Sequence, residues 1–234
     1  MAIDGAVTAR RVVALSFDAD MTPRMLGELR AGRVRSWYAA PLIHELERTA
    51  TPATLFLTGL WARTYPQVTR RLAAQPRFEI GSHTWDHLAW TSSCYGLPAV
   101  STDAAKRREL RRTATVLRRL TGRSPVLFRF PGLCHRAGDL RLVAAHRQQA
   151  IDGTASGDAL QDDPSVIVRT VLADLAPGRI FVMHMMGGPN APATAAAVRQ
   201  LIPAIRARGY RLATVGALLR HRVRDAPSEQ AGGA

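Results

Sequence analysis

Two aspartates lie one residue apart at the end of an apolar run, an unusual place for like charges. Asp18 and Asp20 belong to the stretch Ser16–Asp20, which comes directly after the apolar run Val12–Leu15. The run predicts a β-strand, and strand alternation directs residues i and i+2 to the same side of a sheet. Two carboxylates in one small volume repel each other, and burial adds a desolvation cost. The pair therefore indicates either a solvated loop whose second aspartate caps a helix, or a site that holds a cation.

Two histidines four residues apart are a second candidate for metal chemistry. His83 and His87 follow the predicted strand Phe78–Gly81. One helical turn between them would place both imidazoles on one side. Two neutral ring nitrogens and a carboxylate form a three-ligand set for a divalent metal and leave a position for water. Histidine pairs at this spacing also arise by chance, so the position after a strand and the nearby aspartate pair support the metal interpretation.

Predicted strands alternate with predicted helices along almost the whole chain. The strands are predicted at Val12–Phe17, Ala53–Leu57, Phe78–Gly81, Val126–Phe128, Gln149–Asp152, Ile180–Met183 and Tyr210–Thr214. The helices are predicted around Met25–Arg35 and at Leu42–Arg48, Tyr65–Ala74, Asp103–Thr121, Asp139–His146, Pro164–Leu175, Ala191–Arg208 and Val215–His221. Pro203 predicts a kink or a break in the helix that contains it. The alternation predicts a parallel sheet, open or closed into a barrel.

Polar residues of unusual type follow several of these strands. Asp18 and Asp20 follow the first strand, Ser82–His87 follows the third, Arg129–Gly132 the fourth, and His184 the sixth. Parallel sheets form their active sites at the carboxyl edge of the strands. We therefore expect these residues to meet at one edge of the sheet.

The composition fits one domain of an α/β barrel type with a strongly basic surface. The chain has 234 residues, 47% of them hydrophobic, and a formal net charge of +14. Nearly all the positive charge is arginine, because Lys106 is the only lysine. The densest arginine cluster lies in Asp103–Thr121, mostly outside an apolar stripe of helical spacing, which is typical of a solvated helix face. We therefore predict no specific nucleic-acid partner, although a basic surface could attract polyanions.

The sequence contains no apolar run of 18 or more residues, which predicts no membrane span. No apolar core of signal-peptide length precedes the first predicted strand. The sequence as given therefore predicts a cytoplasmic protein, or an exported one whose signal is absent from it. The oligomeric state is left open.

Five short motifs in this order resemble those of the polysaccharide deacetylases, carbohydrate esterase family four with the NodB-homology fold. They are Phe17–Asp20, His83–His87, Arg129–Gly132, Ser156–Ala159 and His184. The resemblance extends from about Arg11 to about Leu219 and implies a single-domain α/β fold, a distorted (β/α) barrel with about seven parallel strands. We assign residues 1–222 to this domain and predict that residues 223–234 form a disordered tail.

The resemblance also implies a role for each matched residue. The implied roles are general base for Asp18, metal ligand for Asp20, His83 and His87, orientation of the base for Arg129, oxyanion or substrate contact for Pro131 and Gly132, tuning of the acid for Asp158, and general acid for His184. Trp85 and Tyr95 either stack on a sugar or pack beneath their loops. The implied cofactor is one divalent metal, zinc or alternatively cobalt.

The first and fourth motifs differ from the common family pattern. The metal-binding aspartate usually follows the base directly, but Ala19 stands there and the carboxylate is at Asp20. In the fourth motif, Ala159 replaces the usual tryptophan. Cys94 and Cys134 follow the second and third motifs, so we predict that they lie at the same edge within bridging distance.

Three functions follow as hypotheses from different classes. The first is a metal-dependent deacetylase that hydrolyses the amide bond of an N-acetylated amino sugar, such as a chitooligosaccharide, peptidoglycan or a smaller compound. The second is an amidase of the same fold acting on a non-sugar linear or cyclic amide. The third is a polyanion-binding protein in which the site is a catalytic relic.

Overall fold

The computed structural model describes residues 1–220, and these residues contain one parallel sheet of eight strands. The strands are β1 (Val12–Ala19), β2 (Ala53–Leu57), β3 (Phe78–Ser82), β4 (Leu127–Phe128), β5 (Gln149–Ala150), β6 (Thr154–Ala155), β7 (Ile180–His184) and β8 (Arg211–Ala213). The tail predicted at 223–234 and the last residue of the predicted helix Val215–His221 lie outside the described residues.

The sheet curls on itself, as a distorted barrel requires. Its strand order is β5-β4-β3-β2-β1-β7-β6, with β8 also paired to β1, and every registered pair is parallel. The two end strands, β5 and β6, are joined by residues 151–153 alone. Such a short link spans at most about 14 Å, so the two ends of the sheet must approach each other. The predicted α/β barrel is confirmed.

One strand was missing from the predicted set. Thr154–Ala155 pairs with β7 through Thr154 opposite Phe181 and Ala155 opposite Val182. Thr154 and Ala155 are too few to show a strand pattern, and Gly153 and Gly157 on either side are of a residue type depleted in strands. Only the neighbouring strand makes this segment extended.

The helices cover the sheet and leave its carboxyl edge open to the loops. They are α1 (Pro23–Arg30), α2 (Ala40–Arg48), α3 (Gly59–Thr64), α4 (Pro66–Ala74), α5 (Asp103–Thr121), α6 (Ala137–Ala145), α7 (Pro164–Ala173), α8 (Thr194–Ala207) and α9 (Val215–Leu219). Within residues 1–220, no helix has the length and apolar content that a membrane crossing needs.

Helix α8 continues through Pro203 without the break that we had allowed for. Pro203 lies on the exposed side of the helix, so its lost N–H bond affects the solvent face. The opposite side buries Leu201, Ile202 and Ile205 in the main apolar core. Burial of this stripe holds the helix together despite the proline.

Strand β1 is the centre of the fold. All eight of its residues are buried, and it pairs with β2, β7 and β8. Phe17 and Leu15 pack with Leu55 and Phe181 in the main core. A strand fixed on both sides holds the carboxylates at its carboxyl end in a rigid frame.

Candidate active site

The carboxyl edge of the sheet gathers the polar residues that follow the strands. Asp18 is directly opposite His184 in the pairing of β1 with β7. Ser82, the residue before His83, is opposite Phe128, the residue before Arg129. Neighbouring parallel strands thus bring together residues that are far apart in the chain.

Asp20, His83 and His87 form a compact cluster of possible metal ligands. The Asp20 Oδ1 atom lies 3.3 Å from His83 Nε2 and 3.4 Å from His87 Nε2. One ligand atom from each residue lies within 4.8 Å of the other two, and all three residues are buried. The carboxylate stands at Asp20, one residue later than in the common form of the motif, and it still lies close to both imidazoles.

The two histidines meet through a turn and not through the helical turn that their spacing suggested. Residues 84–86 form a turn, and Thr84 and His87 have φ values of 60° and 65°. The imidazole centroids lie 5.0 Å apart. Non-glycine residues rarely adopt positive φ, so the surrounding structure must hold this segment in place.

Three contacts from neighbouring helices hold this turn. The N–H groups of Gly59 and Leu60, at the start of α3, donate to the carbonyls of Thr84 and Trp85 over 3.0 and 2.8 Å. From α5, Glu109 Oε2 accepts from the Trp85 N–H over 2.8 Å. Two helices therefore fix the backbone between the two candidate histidine ligands.

The donor set fits a divalent cation such as zinc. Asp20 Oδ1 is buried and lacks a hydrogen-bond partner among the described residues. Buried polar atoms normally have a partner, and a bound cation would supply one here. The His83 Nδ1–H group donates to the Arg129 carbonyl over 2.9 Å, which leaves Nε2 to face Asp20 with its lone pair. One carboxylate oxygen and two imidazole nitrogens are ligands that zinc accepts.

The local charges perturb each of the three ligands. Burial raises the pKa of Asp20, but its interactions with His87, His83 and His184 outweigh this effect and lower the pKa overall. Burial lowers the pKa of His87 to about 4, which favours the neutral imidazole that a metal requires. Burial also lowers the pKa of His83, but the negative charges of Asp18 and Asp20 outweigh it and raise the pKa.

Asp18 is held separately by a buried arginine. Arg129 Nη1 donates to Asp18 Oδ1 over 2.8 Å, and the arginine side chain is fully buried. The second carboxylate oxygen, Oδ2, lies 4.0 Å from His83 Nε2 and so faces the ligand cluster. Arg129 also donates to the carbonyls of Ile151 and Asp152, both over 3.3 Å. These bonds fix the arginine, and through it the orientation of Asp18.

His184 belongs to a second carboxylate–imidazole pair. Its Nδ1–H donates to Asp158 Oδ1 over 2.9 Å, and its backbone N–H donates to Asp158 Oδ2 over 2.8 Å. Its Nε2 lies 3.8 Å from Asp20 Oδ2. Burial lowers the pKa of His184, but the Asp158 hydrogen bond and the charges of Asp20 and Asp158 raise it to about 10. These interactions favour the protonated imidazole, whose Nε2 faces the ligand cluster.

The remaining predicted contacts surround the turn that follows β4. A 3-10 turn at Pro131–Leu133 contains Gly132 with a φ of 62°. Tyr95 is 86% exposed and stands beside this turn, where it can meet a substrate. Cys94 and Cys134 form a disulfide with a Cα separation of 6.0 Å, which confirms their predicted proximity.

Trp85 differs from its predicted substrate contact. The residue is 4% exposed, and its ring packs beneath the turn with the Arg112 guanidinium carbon 3.7 Å from the ring centroid. Stacking on a sugar needs an accessible ring face. Trp85 therefore supports the turn, which was the second possibility for loop aromatics.

Two supporting residues were not found from the sequence. Thr194 donates to Asp158 Oδ2 over 2.6 Å from the start of α8, and nothing in its local sequence indicates this distant contact. Glu109 could have been found, because it falls with Leu110, Thr113 and Leu117 on the buried side of α5. A lone acidic residue on a buried helical stripe indicates a polar partner.

Sequence comparison adds to this geometry. Residues 5–150, well over half of the chain, match the family described as polysaccharide deacetylase. The chain is 26% identical over 211 residues to a peptidoglycan-N-acetylglucosamine deacetylase of Bacillus cereus, which covers 87% of this chain and 66% of that protein. The chain spans 53% of the length of another curated relative.

Two crystal structures share the fold. That of a peptidoglycan N-acetylglucosamine deacetylase has a TM-score of 0.79 and 20% identity, covering 93% of this chain and 92% of that one. That of a CE4-family pseudoenzyme from Bacillus anthracis has a TM-score of 0.77 and 18% identity, covering 96% and 71%. At such identities the likeness establishes the fold alone, so activity has to be argued from the site residues.

Proposed function

The chain belongs to the polysaccharide deacetylase family, and from this premise we propose that it is a metal-dependent hydrolase that removes N-acetyl groups from an N-acetylated amino sugar. Peptidoglycan and chitooligosaccharides are the substrate classes that we consider first. One edge of the sheet brings together three candidate metal ligands, a carboxylate paired with a buried arginine, and an imidazole paired with a carboxylate. This convergence carries the proposal.

Asp20, His83 and His87 would hold one divalent cation, with zinc as the first choice and cobalt as the second. When bound, such a cation supplies a Lewis acid that makes water acidic and polarises an amide carbonyl. The chain contributes an oxygen and two nitrogens that are already in place, with His83 fixed in one tautomer by the Arg129 carbonyl. Little rearrangement would be needed for binding.

Asp18 would act as general base. Its Oδ1 atom is occupied by Arg129, whereas Oδ2 faces the ligand cluster and can accept a proton from the attacking water. Arg129 would keep the carboxylate in this orientation and does not itself react. The two aspartates of the first motif therefore have different roles, and the sequence spacing of two residues is compatible with both.

His184 would act as general acid. Its Nδ1–H is engaged by Asp158, so the proton available for transfer is the one on Nε2. Cleavage of an amide releases an amine, which leaves poorly as an anion and needs a proton as the C–N bond breaks. Despite burial, the Asp158 hydrogen bond raises the pKa of His184, which favours the protonated imidazole that this step needs.

Gly132 and Tyr95 would complete the site on the substrate side. The backbone N–H of Gly132 would stabilise negative charge on the carbonyl oxygen of the substrate, a contribution that removal of a single donor shows to be large in other enzymes. Pro131 would shape the turn, and the exposed ring of Tyr95 would pack against a sugar face.

A screen for acetate release tests the proposal. The purified protein is incubated with zinc or cobalt and with chitooligosaccharides, peptidoglycan fragments or simple acetamides. We expect release from at least one N-acetyl sugar, loss of release with chelator, and recovery on adding metal back. The Asp18→Asn variant serves as the matched control because it should keep the metal and lose the activity. Full activity in this variant would refute the role of the base.

The same screen decides between the remaining alternatives. Release from non-sugar amides alone would favour the amidase hypothesis, which the replacement of a tryptophan by Ala159 in the fourth motif suggested. The pseudoenzyme with this fold gives reason to keep the third alternative, a polyanion-binding relic. A protein that takes up no metal and binds anionic polymers through its +14 charge would support that alternative.

A further inference from the structure

The disulfide Cys94–Cys134 joins two segments at the substrate side of the site. Cys94 belongs to the loop Thr91–Ala99, and Cys134 ends the 3-10 turn Pro131–Leu133. The loop is closed at its base, where Ala89 N–H donates to the Pro98 carbonyl and Val100 N–H donates to the Ala89 carbonyl, both over 2.8 Å. The bridge is the covalent link between this closed loop and the turn.

The loop presses against the backbone of Gly132. A Cβ atom at that position would lie 2.5 Å from Cys94 Sγ, 3.1 Å from Tyr95 Cδ2 and 3.5 Å from Cys134 Sγ. Glycine is therefore required both by its φ of 62° and by this close approach. The bridge and the exposed Tyr95 ring occupy the volume in which a side chain would otherwise stand.

The turn is conformationally strained and continues directly from Arg129. Gly132 and Leu133 have successive positive φ values of 62° and 60°, and leucine rarely adopts this region. Such a turn persists only when its surroundings hold it. At its other end, Arg129 contacts Asp18 through its guanidinium and His83 through its carbonyl. The bridge therefore restrains the free end of a segment whose first residue supports both the base and a ligand.

We propose that the Cys94–Cys134 disulfide is a positioning element that keeps the Gly132 N–H and Tyr95 in their places for the substrate. This inference rests on the proposed function. Opening the bridge lets the turn relax and the loop move, which lowers kcat by about tenfold, less than the roughly hundredfold cost of losing an oxyanion donor. The metal affinity stays the same, because Asp20 directly follows β1, His83 and His87 flank the turn 84–86, and Arg129 is held by Asp18 and by the Ser82 carbonyl independently of the bridge.

The proposal has a consequence for where the protein works. Disulfides persist in oxidising compartments and are reduced in most cytosols. A site that depends on the bridge is fully active only where the bridge is maintained. We therefore place the active form in an oxidising compartment, such as the cell envelope, and not in the reducing cytoplasm.

The test compares the oxidised protein, the reduced protein and the variant Cys94→Ser/Cys134→Ser. A water-soluble phosphine reduces the bridge. One phosphine and one water react with the S–S bond to give one phosphine oxide and two thiols. The phosphine supplies the two electrons, and the water supplies the oxide oxygen and the two thiol protons. The phosphine is removed before metal is added, and a thiol count confirms the state of the bridge. Reoxidation should restore kcat in the wild-type chain only.

Three measurements follow for each form: kcat and KM for acetate release, metal affinity by titration, and hydrogen exchange at Leu133 and Cys134. We expect reduction and the double variant to lower kcat by about tenfold, leave metal affinity unchanged and accelerate exchange in the turn. Cys94→Ala/Cys134→Ala should behave like the serine variant, which excludes an effect of the new hydroxyls. Equal kcat and KM in the oxidised and reduced forms would overturn the inference. If no form releases acetate, the proposed function fails. In that case, equal hydrogen-exchange rates in the turn of the oxidised and reduced forms would overturn the positioning role independently.

Discussion

The single variant Arg129→Met should be much less stable than the double variant Arg129→Met/Asp18→Asn. Arg129 is fully buried and its partner Asp18 is 4% exposed. Methionine fills much of the arginine volume without a charge. The single variant Arg129→Met therefore leaves a buried carboxylate without its cation, whereas Arg129→Met/Asp18→Asn leaves no buried charge at this position.

The contacts of Arg129 set the expected magnitude. Loss of one partner from a buried ion pair costs about 3–5 kcal/mol of the free energy of unfolding. The two 3.3 Å bonds from Arg129 to the carbonyls of Ile151 and Asp152 add about 1 kcal/mol together, since they are long. The double variant loses these two bonds but not the charge penalty. The cost of these two bonds cancels between the variants and the charge penalty remains, so we expect a pairwise interaction energy of about 3 kcal/mol between Asp18 and Arg129, at the upper end for residues in contact.

Urea unfolding followed by tryptophan fluorescence measures this energy. All four tryptophans, Trp37, Trp61, Trp85 and Trp90, are buried and report on the loss of the core. A chelator in all samples prevents a bound cation from compensating the carboxylate. If the two single substitutions add to within about 0.5 kcal/mol of the double one, the two residues are not coupled, and the orientation of the base by Arg129 is refuted.

Three further predictions test the metal site, the acid and the carboxyl group behind the turn. Asp20→Asn should weaken zinc binding by at least about 100-fold in a calorimetric titration, while Asp18→Asn should bind within a few-fold of wild type; equal loss in both would contradict their separate roles. Asp158→Asn should lower kcat by about 100-fold and leave zinc affinity intact, because it removes the charge that keeps His184 protonated; an unchanged kcat would count against His184 as acid. Burial raises the pKa of Glu109 to about 7 in the folded protein, above its ordinary 4.5. Between these two pKa values the folded state holds more protons than the unfolded state, so the free energy of unfolding should fall as pH rises from roughly 5 to roughly 8. The Glu109→Gln variant should show a flatter pH dependence of the urea midpoint over this range. An equally steep dependence in the variant would show that Glu109 is not its cause.

The sequence alone indicated which edge of the sheet carries the candidate site. Val12–Leu15 is a continuous apolar run, which is typical of a strand that is buried on both faces. The polar residues at the carboxyl ends of β1, β3, β4 and β7 could be placed at one edge because parallel strands share their direction. Their order along the chain then resembled one family, and the sequence comparison establishes that family.

Other features depended on contacts between segments that are distant in the chain. A spacing of four residues suggested a helical turn for His83 and His87, but Gly59, Leu60 and Glu109 hold the segment in a turn with positive φ. Thr194 reaches Asp158 across 36 residues, and no local pattern encodes such a bond. Local sequence determines which residues end each strand, because strand burial follows from a run of adjacent side chains. Only the tertiary structure determines how those residues are oriented, because their hydrogen-bond partners come from other helices and strands.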